Sequence, residues 1–167
     1  MALSSRLTVA VAAEASLATD LANAVAPVAL SKAMTLLTGV GADQADKIFA
    51  DSRSVTASTT DSLDVATGGG LTDVLGAALA LVKVKALVIV NTHASQALSY
   101  SRPAAGVPIL TAASDAVPIP AGGVLALAAP GAAGLATVTA TTADLIDIVN
   151  GAGVTGTYSI VIIGTSA

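Results

Sequence analysis

Very few side chains in this sequence have the chemistry to act on a substrate. The single histidine, His93, stands two residues before Ser95, which on paper sets a base beside a nucleophile. That chemistry needs the imidazole to reach the hydroxyl and a carboxylate to orient the ring. Residues this close in an extended chain diverge, and no acid is placed to orient the imidazole, so His93 and Ser95 read as loop residues. One histidine and no cysteine also make a poor metal site, and a cupin-type metalloenzyme would need several histidines. The absence of cysteine removes disulfides and thiolate chemistry and is compatible with either redox compartment. Gly68, Gly69 and Gly70 invite a phosphate-loop reading, yet no Lys-Ser/Thr pair follows, the next basic residue is Lys83, and Asp73 would repel the anion. No catalytic, cofactor-binding or metal-binding residue is assigned. The expectation is a protein that is not an enzyme and carries no cofactor.

The aromatic side chains are Phe49, Tyr100 and Tyr158 alone. A core this poor in large side chains needs Phe49 inside as an anchor. Two tyrosines are too few for the stacking platforms of a carbohydrate-binding or host-adhesion module.

The elements that must carry these residues are strands. The organising stretch runs from Leu79 to Val90: Lys83 and Lys85 alternate with Val82, Val84 and Ala86 at period two, and Leu87 to Val90 are apolar on both faces. Such a strand needs a sheet packed against another layer. Val154 to Ile163 has the same character and is expected in the same buried layer. Further strands are read at Leu7 to Val11, Val28 to Thr38, Ser52 to Thr60, Asp61 to Val65, Leu135 to Thr141 and Asp144 to Val149, with Val124 to Ala128 as a buried strand. Asn150-Gly151 is a strong hairpin signal. Pro103 to Pro120 holds four of the six prolines and reads as a long surface excursion. Ser16 to Val25 fits a short helix or a loop, and Pro27 should end whatever precedes it. Eight to ten strands punctuated by Gly and Pro predict an all-β chain, β-sandwich or jelly-roll-like, with either one short N-terminal helix or an extended N-terminal arm. The expected division is residues 1–27 as an N-terminal segment able to serve as an assembly arm, and residues 28–167 as a single β-sandwich domain.

Composition narrows the function. Of 167 residues, 54% are hydrophobic, 11% charged and 2% aromatic, with a mean hydropathy of +0.82. So few charges leave apolar area exposed, which points to an obligate assembly. A net charge of −4 with seven scattered Lys and Arg argues against nucleic acid. The uncharged stretch Ala116 to Ala143 is too broken by Pro and Gly for a membrane-spanning helix. The apolar run Leu7 to Ala13 loosely imitates a signal peptide, but Glu14 and Asp20 interrupt it, so cleavage is not expected.

The order of short motifs carries a resemblance. Thr38-Gly-Val-Gly-Ala-Asp43 running on to Val55, then Ser62 to Val65, Leu71 to Asp73, Val84 to Asn91, Pro120 to Leu127, Thr141 to Asn150 and Tyr158 to Ala167 together resemble a class of small β-rich virion proteins encoded near the head genes of tailed bacteriophages. The resemblance spans Thr35 to Ala167. The sequence departs from it after Gly134, where a bulky aromatic is usual and Leu135 and Ala136 stand. It implies a structural protein of the virion, a capsid decoration (cement) protein or a tail component, with no catalytic residues. It further implies binding to the major capsid protein or other virion proteins, as a homo-oligomer (trimer or dimer), with no nucleic acid or membrane partner. Met1 to Pro27 and the Pro103 to Pro120 loop are the expected contact surfaces.

Overall fold

The computed structural model describes residues 2–18 and 20–167. Among these the chain is all-β, with no helix and twelve strands: β1 (Ser5–Ala18), β2 (Asn23–Thr38), β3 (Gln44–Ala45), β4 (Lys47–Val55), β5 (Thr60–Asp64), β6 (Lys83–Asn91), β7 (Leu98–Ser101), β8 (Ala116–Ile119), β9 (Val124–Ala128), β10 (Ala136–Thr137), β11 (Leu145–Asn150) and β12 (Gly156–Thr165). A five-stranded sheet runs β10-β6-β12-β4, with β9 also paired to β6, and a four-stranded sheet runs β5-β11-β7-β8. Phe49, Leu87, Ile89, Ile160 and Ile162 of the first share one buried cluster with Leu63, Leu98, Tyr100, Ile146 and Ile148 of the second. Two sheets closing on one core is the arrangement of a β-sandwich.

As expected, β6 and β12 are neighbours, joined from Tyr158↔Asn91 to Thr165↔Lys83. The strand itself begins only at Lys83; Leu79 and Leu81 precede it as buried loop residues, with the Leu81 amide donating to Val65 O at 2.9 Å. The period-two alternation also breaks after Lys85, where Ala86 follows on the outer side with Ile163. The register shifts at Ile163/Gly164, so that Ile163 opposes Ala86 while Gly164 opposes Val84. Lys85 is therefore the extra residue of a β-bulge, and its side chain is 0% exposed. Gly164 makes this approach possible, since a Cβ there would lie 2.2 Å from Lys83 O.

Four other expectations change. Val124 to Ala128 is an edge strand with alternating exposure, not a buried one, because it pairs only with β6. Asn150-Gly151 is not a hairpin turn: β11 and β12 lie in different sheets, and the segment crosses between them. Asn150 is placed there for its amide, which is buried and donates to Val55 O at 2.8 Å and Val154 O at 2.9 Å while accepting from Gln96 Nε2 at 2.8 Å. Part of the Pro-rich excursion is β8, and Val107 from its middle is fully buried in the core. Finally, Ser16 to Val25 holds neither helix nor loop throughout, since Ser16 to Ala18 and Asn23 to Val25 are paired strand. Met1 and Thr19 lie outside the described residues.

Candidate assembly surface

The N-terminal region is one long antiparallel hairpin. β1 and β2 pair without interruption from Ser5↔Leu36 to Ala18↔Asn23. At about 3.4 Å per residue the fourteen residues of β1 make an arm roughly 45 Å long. Pro27 lies inside β2, opposite Glu14, and ends nothing. A proline is tolerated in a strand whose far side is unpaired, and β2 meets β3 only at Leu37 and Thr38. The arm thus continues past Pro27 to Thr38.

Period-two alternation gives the arm two unlike faces. Leu7, Val9, Val11, Ala13 and Leu17 on β1 stand opposite Met34, Lys32, Leu30, Val28 and Ala24 on β2, so one face is aliphatic with a single charge. The other presents Arg6, Thr8, Ala10, Ala12, Glu14 and Ser16 against Thr35, Ala33, Ser31, Ala29, Pro27 and Val25. The aliphatic face is uncovered for most of its length: Val11 is 53% exposed, Val28 59% and Leu30 67%.

Only the base of that face is seated. Leu36 and Ala45 are buried with Ala86 and Ile163, flanked by Met34, Ile48 and Val161, on the outer side of the five-stranded sheet. Further along, Leu7, Val9 and Met34 face Ala126, Ala128 and Pro130 across a groove of about 420 Å³, where Lys32 and Asp43 also lie. Backbone bonds tie the base down: Leu37 N donates to Asp43 O at 2.9 Å and Asp43 N to Pro130 O at 2.8 Å. Lys85 closes the junction from within, its Nζ donating to Gly41 O at 3.1 Å and to Gly131 O. Burial lowers the Lys85 pKa, and the Lys83 charge acts in the same direction against the opposing pull of Asp43.

The outer face of the five-stranded sheet continues beyond this contact and carries no charged strand residue. Val88 and Val90 of β6 stand beside Val161 and Ser159 of β12, Ala126 and Val124 of β9, and Ala50 and Ser52 of β4. The opposite sheet differs, with Asp64 and Asp147 alternating with buried Leu63, Ile146 and Ile148 and so lying on its outer face.

The residues first considered for chemistry are occupied structurally. His93 Nδ1 accepts from the amides of Gln96 at 2.8 Å and Ser95 at 3.2 Å, so Ser95 offers the ring its backbone and not its hydroxyl. Gly68 and Gly70 adopt positive φ, and a Cβ on Gly69 would lie 2.3 Å from Asp64 O, so the triplet is a turn passing over an acid. Phe49, Tyr100 and Tyr158 are all buried, leaving no aromatic platform at the surface. Tyr158 Oη donates to Asp61 at 2.8 Å, and Arg53 holds the same carboxylate through Nε at 2.6 Å and Nη2 at 3.0 Å. Arg53 lowers the Asp61 pKa; burial, with the Asp61 hydrogen bond, raises that of Tyr158. Burial pushes Tyr100 up to about 12.

Sequence reading placed the arm in residues 1–27 and read Val28 to Thr38 as a strand, but missed that this strand pairs with Leu7 to Val11 in one hairpin and missed its amphipathic pattern. The signal was present: aliphatic residues at 7, 9, 11 and 17, then at 28, 30, 34 and 36, are what a two-stranded stripe requires. No known protein family, curated protein or solved structure matches this chain.

Proposed function

We propose that this protein is a structural subunit that works by lasting attachment to neighbours and, on the sequence resemblance, a tailed-phage virion component: a decoration or cement protein of the mature head. The observation that carries the reading is the hairpin arm, whose aliphatic face is left open to water over most of its length. Exposed aliphatic surface of this extent is a cost to a free monomer and is relieved by a partner. The buried tyrosines favour this reading over a glycan-binding module, which needs aromatic rings at its surface.

Stabilisation would then follow from selective binding. A protein that binds the expanded capsid lattice and not its precursor shifts the equilibrium toward the mature shell by its differential affinity. Electron cryo-microscopy of the purified particle tests this, with the expected result a many-copy density for this chain on the head surface. Density confined to the tail would move the role there, and absence of the chain from particles would overturn the virion reading.

A further inference from the structure

We infer that the distal aliphatic stripe of the β1–β2 arm seats on the outer face of the five-stranded sheet of a second copy of this chain. The inference deepens the assembly reading above and rests on it for its setting, but not for its geometry.

Three observations select a second copy. The first is continuity: the base of the stripe already packs on this kind of surface within its own chain, through Leu36 and Met34 against Ala86, Ile163 and Val161. The uncovered part, Val11, Ala13, Leu17, Val28 and Leu30, continues the same row on the same face of the hairpin. Charge is the second. The stripe's one charge, Lys32, lies back at the groove, and the sheet face beyond the base contact shows Ala50, Val88, Val90 and Val124, bordered by Ala126 and Val161 at the seated base, with no charge to match or repel. The outer face of the other sheet carries Asp64 and Asp147 and would force desolvation of carboxylates.

The third is area. From Val11 to Leu17 the uncovered stripe measures roughly 24 Å by 10 Å, comparable with the roughly 19 Å that the four strands from β9 to β4 span across the receiving face. Both surfaces are buried in each contact, and a reciprocal pair makes the contact twice, giving roughly 1,000 Å², at the lower end of the range of specific interfaces. A single unreciprocated contact falls below that range, so the exchange must close on itself. The arm lacks the interfacial aromatic residues that a membrane-inserting hairpin uses.

Because the chain contains no cysteine, single-cysteine variants report the contact without background. Val28→Cys, on the stripe, is mixed under oxidising conditions with Val90→Cys, Ala126→Cys or Val161→Cys in turn. At least one mixture should give a mixed disulfide at least about tenfold above that given by Ala12→Cys, on the opposite face of the arm, since bridging requires Cα atoms within about 7 Å. Wild type should scatter light as an oligomer, and Leu30→Asp should dissociate it to monomer with an unchanged β-sheet circular dichroism spectrum. A wild-type chain monomeric at every concentration overturns the inference. So does a Val28→Cys chain that cross-links only to itself, or flotation of wild type with phosphatidylcholine–phosphatidylglycerol vesicles that Leu30→Asp abolishes. Oligomers of this kind that never attach to particles would sink the virion reading and leave the arm exchange standing; a monomer that decorates heads would do the reverse.

Discussion

Replacing Lys85 by methionine separates what this lysine does for the fold from what it does for the arm. Its ammonium is out of water and donates to Gly41 O, in the turn after the arm, and to Gly131 O, in the loop between β9 and β10. Each charge-assisted hydrogen bond contributes about 1.5–3 kcal/mol. Burying the ammonium costs several kcal/mol in the opposite sense. The two nearly cancel, and the lowered pKa says that desolvation outweighs the local attraction. Methionine fills the same narrow volume without a charge, and the freed carbonyls lie in a half-buried and an exposed loop residue, where water can reach them. Urea denaturation should therefore move by less than about 2 kcal/mol. The junction should loosen all the same: the Asp43 amide, bonded to Pro130 O beside Gly131, should exchange with solvent about tenfold faster for each 1.4 kcal/mol of lost local stability. A pH series adds a second reading. A lysine whose native pKa is lowered makes stability rise as pH climbs from that value toward the ordinary lysine range near 10.4, and the methionine variant should lack that rise. A loss above about 4 kcal/mol would show that the buried ion is a net support. Unchanged exchange at Asp43 would show that it does not hold the arm.

Asn150→Ala leaves two carbonyls and the Gln96 amide without their buried partner, so urea unfolding should show a loss of about 3–4 kcal/mol, and less than 1 kcal/mol would mean that water replaces the amide. Gly164→Ala puts a Cβ against Lys83 O and within 3.1 Å of Leu81 Cδ2, and should cost about 2–4 kcal/mol in the same assay. Asp61 has a lowered native pKa, so its contribution is complete above the ordinary carboxylate range near pH 4 and is lost as pH falls through the native value; Asp61→Asn should flatten that limb of the thermal-midpoint curve. Tyr158 has a raised pKa, so its contribution is intact below about pH 10 and fades above it, a limb that Tyr158→Phe should remove. Replacing residues 10–31 by an Asn-Gly turn between the paired Val9 and Lys32 removes no residue of either buried cluster, so calorimetry should place the midpoint within about 4 °C of wild type while self-association is lost.

Strands and layers were legible where one physical rule governed. Leu87 to Val90 and Ile160 to Ile163 are apolar runs that only a buried sheet can hold, and they are neighbours in the five-stranded sheet. Reading failed where a long-range partner outweighed a local rule. Asn150-Gly151 carries a hairpin signature, but the asparagine is used for the hydrogen-bonding capacity of its side chain across the two sheets. Lys85 keeps its alternation with Lys83, yet a bulge at Gly164, some eighty residues away in sequence, makes it an extra residue covered by the arm junction and not a solvent-facing one. Pro27 obeys its usual restriction only where both sides of a strand are paired, and here one side is open. The arm was harder to see because each half, taken alone, resembles a weak strand or a loop. Its meaning appears only when Val11 is set opposite Leu30 and Ala13 opposite Val28.

The composition follows from the same geometry. Large aromatic side chains would hold an arm and a sheet apart, whereas Ala, Val and Leu let flat faces approach closely along their whole length. Charge on either face would be stranded by the proposed approach, in keeping with a stripe whose one charge is Lys32, at its seated end, and with Glu14, Asp64 and Asp147 on the surfaces turned elsewhere. The free edge of β1 is a further constraint: fourteen residues with no strand on their outer side invite random pairing, and β1 carries only Arg6 and Glu14 to discourage it. An edge so lightly defended suits a protein whose arm is covered soon after it folds. On the proposed assembly, the unusual hydropathy of the chain would belong to the assembled state, in which the stripe faces protein.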